Sequence, residues 1–225
     1  MPAPMRQLLL DLMPEAPPSL ANFVAKGNEE ALAALAHWFS GAQLLFLLWG
    51  EAGSGKSHLL RASGLPYVDA AADPDLASAA GDTEGLAVDN VQSLSGTGQV
   101  ALFNHFNRLR LAVENGHPGK LLVAADQPPL ALTLREDLRT RLGSALIFRL
   151  RPLSDEEKLA ALAAQAEDRG LTLSREALTY LMNRSSRDMR TLSALLAALD
   201  RYSLEQKRPI TLPLLRQVLQ QGAKA

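Results

Sequence analysis

The sequence predicts an α/β fold, a parallel five-stranded sheet with flanking helices, followed by a small all-helical domain. Three observations predict it. Leu44 to Trp49 (LLFLLW) is an unbroken apolar run, the pattern of a strand covered on both faces. Four further short apolar runs follow, several separated by helical stretches, and strands that alternate with helices build a parallel sheet. After Arg151-Pro152 no strand pattern recurs and helix-start signals take over.

In chain order, Ala16 to Leu20 (APPSL) breaks the pattern with two prolines and sets residues 1–20 apart as an N-terminal arm. Asn28 reads as the N-cap of a helix running to about Phe39, with Glu29 and Glu30 placed against the helix dipole and Gly41 beyond its end. After the Leu44–Trp49 strand come strand candidates at Leu65–Asp69, Leu86–Asp89, Leu121–Ala125 and Ala145–Leu150. The best helix between them is Gln99–Asn115, where Leu102, Phe106, Leu109 and Val113 share a face. Residues 70–84 are small and polar, the composition of a loop or a short irregular helix. Beyond Pro152, Ser154 with Glu157 forms a capping box for a helix to about Asp168, which Gly170 stops. Ser174, Asp188 and Thr211 are starts for three more helices, the last with Pro213 in its first turn. The expected domains are therefore 1–20, 21–150 and 151–225.

Composition narrows the function classes. With 47% hydrophobic residues in 225, the chain can bury a sizeable core. No apolar stretch approaches the ~18 residues that span a bilayer, and no basic-then-apolar leader opens the chain, so a cytoplasmic protein without membrane contact is expected. There is no cysteine, which excludes disulfides and thiolate chemistry. His37, His58, His105 and His117 have no metal-ligand spacing. The formal net charge is −1, with no dense basic stripe, which argues against phosphate-driven nucleic-acid binding.

Gly50-Glu51-Ala52-Gly53-Ser54-Gly55-Lys56-Ser57 carries the clearest chemistry. It fits the phosphate-loop pattern at every required position, after a buried strand and at the start of a helix. The glycines let the loop wrap so that N–H groups face phosphate oxygens, Lys56 adds a formal charge, and the Ser57 hydroxyl can hold magnesium. Asp89, at the end of the third strand candidate, is then the expected magnesium-side carboxylate. The next residue is Asn90, an amide that cannot serve as a base where a hydrolase would place a second carboxylate. Asp82 and Gly85 form a D-x-x-G, but no N-K-x-D accompanies it, which argues against a GTPase. On these residues alone a small-molecule kinase stays open.

Asp126 after a later strand, Arg141 ahead of the last strand and Arg190 in the helical domain follow in an order that resembles the AAA+ superfamily. More narrowly, Asn22-Phe23-Val24 with Gly27-Asn28, "VDN" at 88–90, "AADQPPL" at 124–130, "RTRLGSALIFRLRPLSDEEKLAAL" at 139–162 and "RDMRTLSALLAALDR" at 187–201 resemble the Hda family. This is a DnaA-related group of regulatory inactivators of the bacterial replication initiator. The likeness spans nearly the whole chain. It implies an AAA+ sheet with a helical lid, Asp126 as first sensor, Arg141 as an arginine finger acting in trans, and Arg190 as second sensor. It also implies an adenine nucleotide, ADP in preference to ATP, with Mg2+, contacted by Phe23, His58 and the loop residues Gly50, Gly53, Ser54, Gly55, Lys56 and Ser57.

The chain departs from the initiator pattern where it lacks a helix-turn-helix domain after the lid, so it is not expected to read origin DNA itself. Residues 64–84 are too short and small for the helical insertion initiators use to assemble on DNA. Gln7, Leu8, Leu10 and Leu12 resemble the short Q-L-x-L-x-[LF] peptide that docks on the sliding clamp, the beta subunit of DNA polymerase III. The resemblance thus implies DnaA and the clamp as partners, nucleoid association through the clamp, and leaves self-association open. An autonomous AAA+ ATPase and a helicase-loader-type interaction protein are the alternatives.

Overall fold

The computed structural model describes residues 17–79, 84–184, 188–206, 210–213 and 215. These fall into two compact units, and the chain passes from the first to the second between Pro152 and Leu153. The first is a three-layer α/β domain. Its strands are β1 (Leu45–Trp49), β2 (Tyr67–Asp69), β3 (Gly85–Asp89), β4 (Lys120–Ala125) and β5 (Leu146–Arg149), and its helices are α1 (Glu29–Ser40), α2 (Lys56–Ala62), α3 (Gly96–Glu114) and α4 (Glu136–Gly143).

All strand pairs are parallel, in the order β2-β3-β4-β1-β5. The period of two in the strands sorts their side chains to two cores. Leu45, Leu47, Val88, Leu121 and Val123 face a core shared with Leu102, Phe106 and Leu109 of α3 and Leu138 and Leu142 of α4. Phe46, Leu48, Ala87, Leu122 and Ala124 face the other, with Leu35 and Trp38 of α1 and Leu59 and Leu60 of α2. Both faces are thus covered, as the continuous LLFLLW run requires. Since every strand points the same way, the chain leaves all five at one edge, where ligands of open parallel sheets bind.

Several expectations shift by a few residues, each for a physical reason. The second strand begins at Tyr67, not Leu65, because Pro66 has no N–H to give the ladder and contributes only its carbonyl, to Ala87. The long helix begins at Gly96, not Gln99, because Ser95 caps it, its Oγ accepting from the Gly98 N–H. Its buried face includes His105, while Val113 is half-buried. Asn28 takes the backbone place of an N-cap, but its side chain makes no cap bond. Its amide instead donates to the Arg151 carbonyl at 2.9 Å and its Oδ1 accepts the Arg151 N–H at 2.8 Å. Among the described residues of the 70–84 segment, Ala77–Ala79 form a 3₁₀ turn.

The second unit is helical: α5 (Asp155–Asp168), α6 (Arg175–Arg184) and α7 (Met189–Gln206). The Ser154/Glu157 capping box opens α5, and Gly170 with φ +71° follows its end. Ser174 and Asp188 accept from Ala177 and Thr191 N–H groups at the starts of α6 and α7. Leu162, Leu178, Leu181, Leu192, Leu196 and Leu199 fill its core. Among the described residues, no helix is long and apolar enough to cross a membrane.

Candidate functional site

The turn after β1 is built by glycines that no other residue replaces without strain. Gly53 and Gly55 have φ of +77° and +97°. A Cβ on Gly55 would run into the Phe23 ring, and one on Gly50 into the Leu150 carbonyl. Lys56, the first residue of α2, is buried, and its ammonium donates to the Gly50 and Glu51 carbonyls at 2.7 and 2.9 Å. Burial pulls its pKa down, while Asp89 and Asp126 oppose that shift. The Ser54 Oγ is fully enclosed and has no hydrogen-bond partner among the described residues. Ser57, in the first turn of α2, is half-buried.

Asp89 ends β3 with its side chain in the interior, 1% exposed. Its two oxygens accept from the Tyr67 hydroxyl and the Asn90 N–H, each at 3.0 Å. Desolvation first, then the Asp89 charge and hydrogen bond, push Tyr67 up to about 12. Arg61 lies over the Tyr67 ring, 4.7 Å from its centroid. Asn90 sits in the left-handed region, φ 53° and ψ 45°, which asparagine tolerates better than most residues. Its amide nitrogen donates to Asp69 Oδ1 at 2.8 Å.

Asp126 follows β4 directly and is exposed. Phe23 and His58 pack as a tilted ring pair, centroids 5.6 Å apart, beside Gly55. The His58 Nε2 lies 3.0 Å from the Ser19 carbonyl, and since a carbonyl can only accept, Nε2 carries the proton. One edge of the sheet therefore gathers Gly50, Gly53, Ser54, Gly55, Lys56, Ser57, His58 and Phe23, with Asp89 and Asp126 at the ends of neighbouring strands. A glycine cradle, a buried ammonium, an enclosed hydroxyl without a partner and a fixed carboxylate fit a nucleoside polyphosphate with magnesium. Ser57 and Asp89 are the side chains that could hold such an ion, which would supply charge neutralisation at the phosphates.

Arg141 lies near the end of α4, half-exposed, with its guanidinium 5.8 Å from the Phe106 ring centroid. Among the described residues it forms no ion pair with a carboxylate. It borders an open surface groove of about 740 Å³ lined by Phe103, Arg135, Glu136, Asp137, Thr140 and Arg141. Arg135 there is committed to Asp137 at 2.8 Å. Arg190 belongs to the helical unit, exposed in the first turn of α7. Gln7, Leu8, Leu10 and Leu12 lie outside the described residues.

Sequence reasoning missed Tyr67 and Asp69. Both alternate with Val68 on a three-residue strand in register with β3, Asp69 opposite Asp89. Two polar side chains in an otherwise apolar candidate, adjacent to the Asp89 strand, were the available signal.

A family model described as "Hda, lid domain" matches residues 155–219. An uncharacterized protein of Haemophilus influenzae is 34% identical over 220 residues, covering 89% of this chain and 93% of the relative. Domain III of the Thermotoga maritima replication initiation protein DnaA matches with a TM-score of 0.64 at 20% identity, over 92% of this chain and 97% of that one. AMPPCP-bound DnaA from Aquifex aeolicus gives 0.61 at 21% identity, over 87% and 71%. The Thermotoga maritima RuvB Holliday junction branch migration motor gives 0.61 at 18%, over 93% and 72%. At these identities the structural matches show a shared fold, the AAA+ sheet with flanking helices and a helical lid.

Proposed function

Because the chain belongs to the Hda-like, DnaA-related AAA+ family, we propose that it regulates replication initiation by completing the ATP-hydrolysing site of the initiator DnaA. In this reading the loop from Gly50 to Ser57 holds an adenine nucleotide, ADP in preference to ATP, with Ser57 and Asp89 on its magnesium. Phe23 and His58 flank the base. Gln7, Leu8, Leu10 and Leu12 dock the arm on the sliding clamp, which brings the chain to replicating DNA. Asp126 and Arg190 sense the bound phosphates, and Arg141 is presented to the partner's ATP.

One observation carries the reading. Arg141 is half-exposed, lies over the Phe106 ring and is uncommitted to any carboxylate among the described residues, beside an open surface groove. A guanidinium held this way can meet the charge that develops on a γ-phosphoryl group in another molecule, an effect worth ~10³–10⁵ in turnover. The chain's own residues do three things: Lys56 and the loop hold phosphate, Phe106 orients the guanidinium, and Arg141 neutralises charge in trans. Any magnesium bound with the nucleotide supplies charge neutralisation at the phosphates.

The test is stimulation of DnaA ATP hydrolysis on clamp-loaded DNA. Arg141→Ala is expected to lose it by at least a hundredfold while still binding nucleotide. Retention of full stimulation would remove the finger from the mechanism. A parallel pull-down with purified clamp is expected to fail for Gln7→Ala/Leu10→Ala.

A further inference from the structure

We propose that Asp69 fixes the amide at position 90 and thereby withholds a hydrolytic carboxylate from the chain's own nucleotide site; this rests on the nucleotide reading above. Asn90 follows Asp89 at the sheet edge where the phosphate loop lies, so it stands where a side chain could reach a water at the outer phosphate. Its amide nitrogen is instead committed to Asp69 Oδ1 at 2.8 Å. Asp69 ends β2, and in the order β2-β3-β4-β1-β5 that strand is on the far side of β3 from β1, which carries the loop. The side chain is therefore drawn away from the phosphates. Gln92 holds the other end, its Nε2 3.4 Å from Asn90 Oδ1.

The pair is also chemically one-directional. Asp69 Oδ1 already accepts the Ala71 N–H at 3.0 Å, so it acts as an acceptor and requires a donor opposite. An amide supplies one. An isosteric carboxylate at 90 would bring two oxygens of like charge to hydrogen-bond distance, next to a third carboxylate, Asp89, that pairs with Asp69 in the strand register. Neither Asp69 nor Tyr67 touches the phosphates in this arrangement. They are positioning residues: Tyr67 holds Asp89 by its hydroxyl, and Asp69 holds Asn90.

The pair makes a swap experiment possible. Four full-length proteins are compared: wild type, Asn90→Asp, Asp69→Asn, and the double variant in which amide and carboxylate change places. Each is melted without nucleotide, then assayed for ATP retention and single-turnover hydrolysis with magnesium. Asn90→Asp is expected to lower the melting temperature by about 4 °C or more, and the swap to recover most of that loss. Asn90→Asp, whose carboxylate is repelled from Asp69, is expected to raise the isolated chain's hydrolysis at least tenfold over wild type, short of the ~10²–10⁴ a well-positioned base contributes, while the swap, whose amide at 69 holds the carboxylate in the wild-type place, stays near wild type. In that step the carboxylate takes a proton from water as its oxygen bonds to the γ-phosphorus and the bond to the β–γ bridging oxygen breaks, releasing ADP.

The inference is overturned if Asn90→Asp melts like wild type, if the swap hydrolyses ATP as fast as Asn90→Asp, or if Asn90→Asp stays folded and retains ATP yet hydrolyses no faster than wild type. Absence of ATP retention in all four proteins would count against the nucleotide reading. The melting arm, which needs no nucleotide, would still decide whether Asp69 dictates the amide.

Discussion

Replacing Asn28 by alanine tests how the α/β unit is closed. The side chain is 4% exposed and makes two hydrogen bonds to one distant residue, donating to the Arg151 carbonyl at 2.9 Å and accepting the Arg151 N–H at 2.8 Å. It thus ties the start of α1 to the chain leaving β5. Each net hydrogen bond contributes about 1 kcal/mol, and an orphaned buried partner costs about 1–3 kcal/mol more. Arg151 is itself exposed, so water recovers part of that cost, and the expected loss is about 2–3 kcal/mol. For a unit of this size that is a fall of roughly 6–12 °C in melting temperature. Both tryptophans, Trp38 and Trp49, lie in this unit, so their fluorescence follows its unfolding separately from the helical unit. Asn28→Ser discriminates between roles. Serine caps helices well but cannot span both Arg151 groups, so it is expected to cost nearly as much as alanine. A serine variant within about 0.5 kcal/mol of wild type would mean that Asn28 is a cap after all and that the Arg151 bonds contribute little.

The remaining predictions concern the loop and the core of α3. Lys56→Met removes a buried ammonium that would share its charge with phosphate oxygens, so affinity for AMPPCP is expected to fall about a hundredfold or more in a fluorescence titration. Melting without nucleotide should change little, because the lost desolvation penalty of the ammonium offsets the donors lost at Gly50 and Glu51. His105 is buried, and desolvation together with the nearby Arg108 charge lowers its pKa from 6.5 to about 4. Below pH 6.5 the unfolded chain takes up a proton that the folded chain refuses, so stability is full above that pH and declines as pH falls toward about 4. Denaturant titrations across this window should show a shallower decline for His105→Leu than for wild type.

Much of the fold was legible because its signals are local. LLFLLW states that β1 is covered twice, Ser154 and Glu157 cap each other three residues apart, and Gly170 takes the positive φ that ends a helix. The phosphate loop is equally local, with eight consecutive residues carrying its glycines, its cation and its hydroxyl. Strand and helix edges moved where a neighbour overrode the pattern, as Pro66 did for β2 and Ser95 for α3.

The polar partners were not legible, since they join residues far apart in the chain. Asn28 has the residue type and place of a cap, and nothing near it in sequence announces a bond to a residue 123 positions away. Asn90 poses a chemical question from sequence alone, but its answer, Asp69, lies 21 residues back on a neighbouring strand. By itself the sequence determined the elements, their alternation and the loop that cradles phosphate, because hydrophobic period and backbone preference act within a few residues. The tertiary structure decided which way Asn90 faces, what holds Asp89 and how Arg141 is left uncommitted, because strand order brings those groups together and a hydrogen bond forms only between neighbours in space.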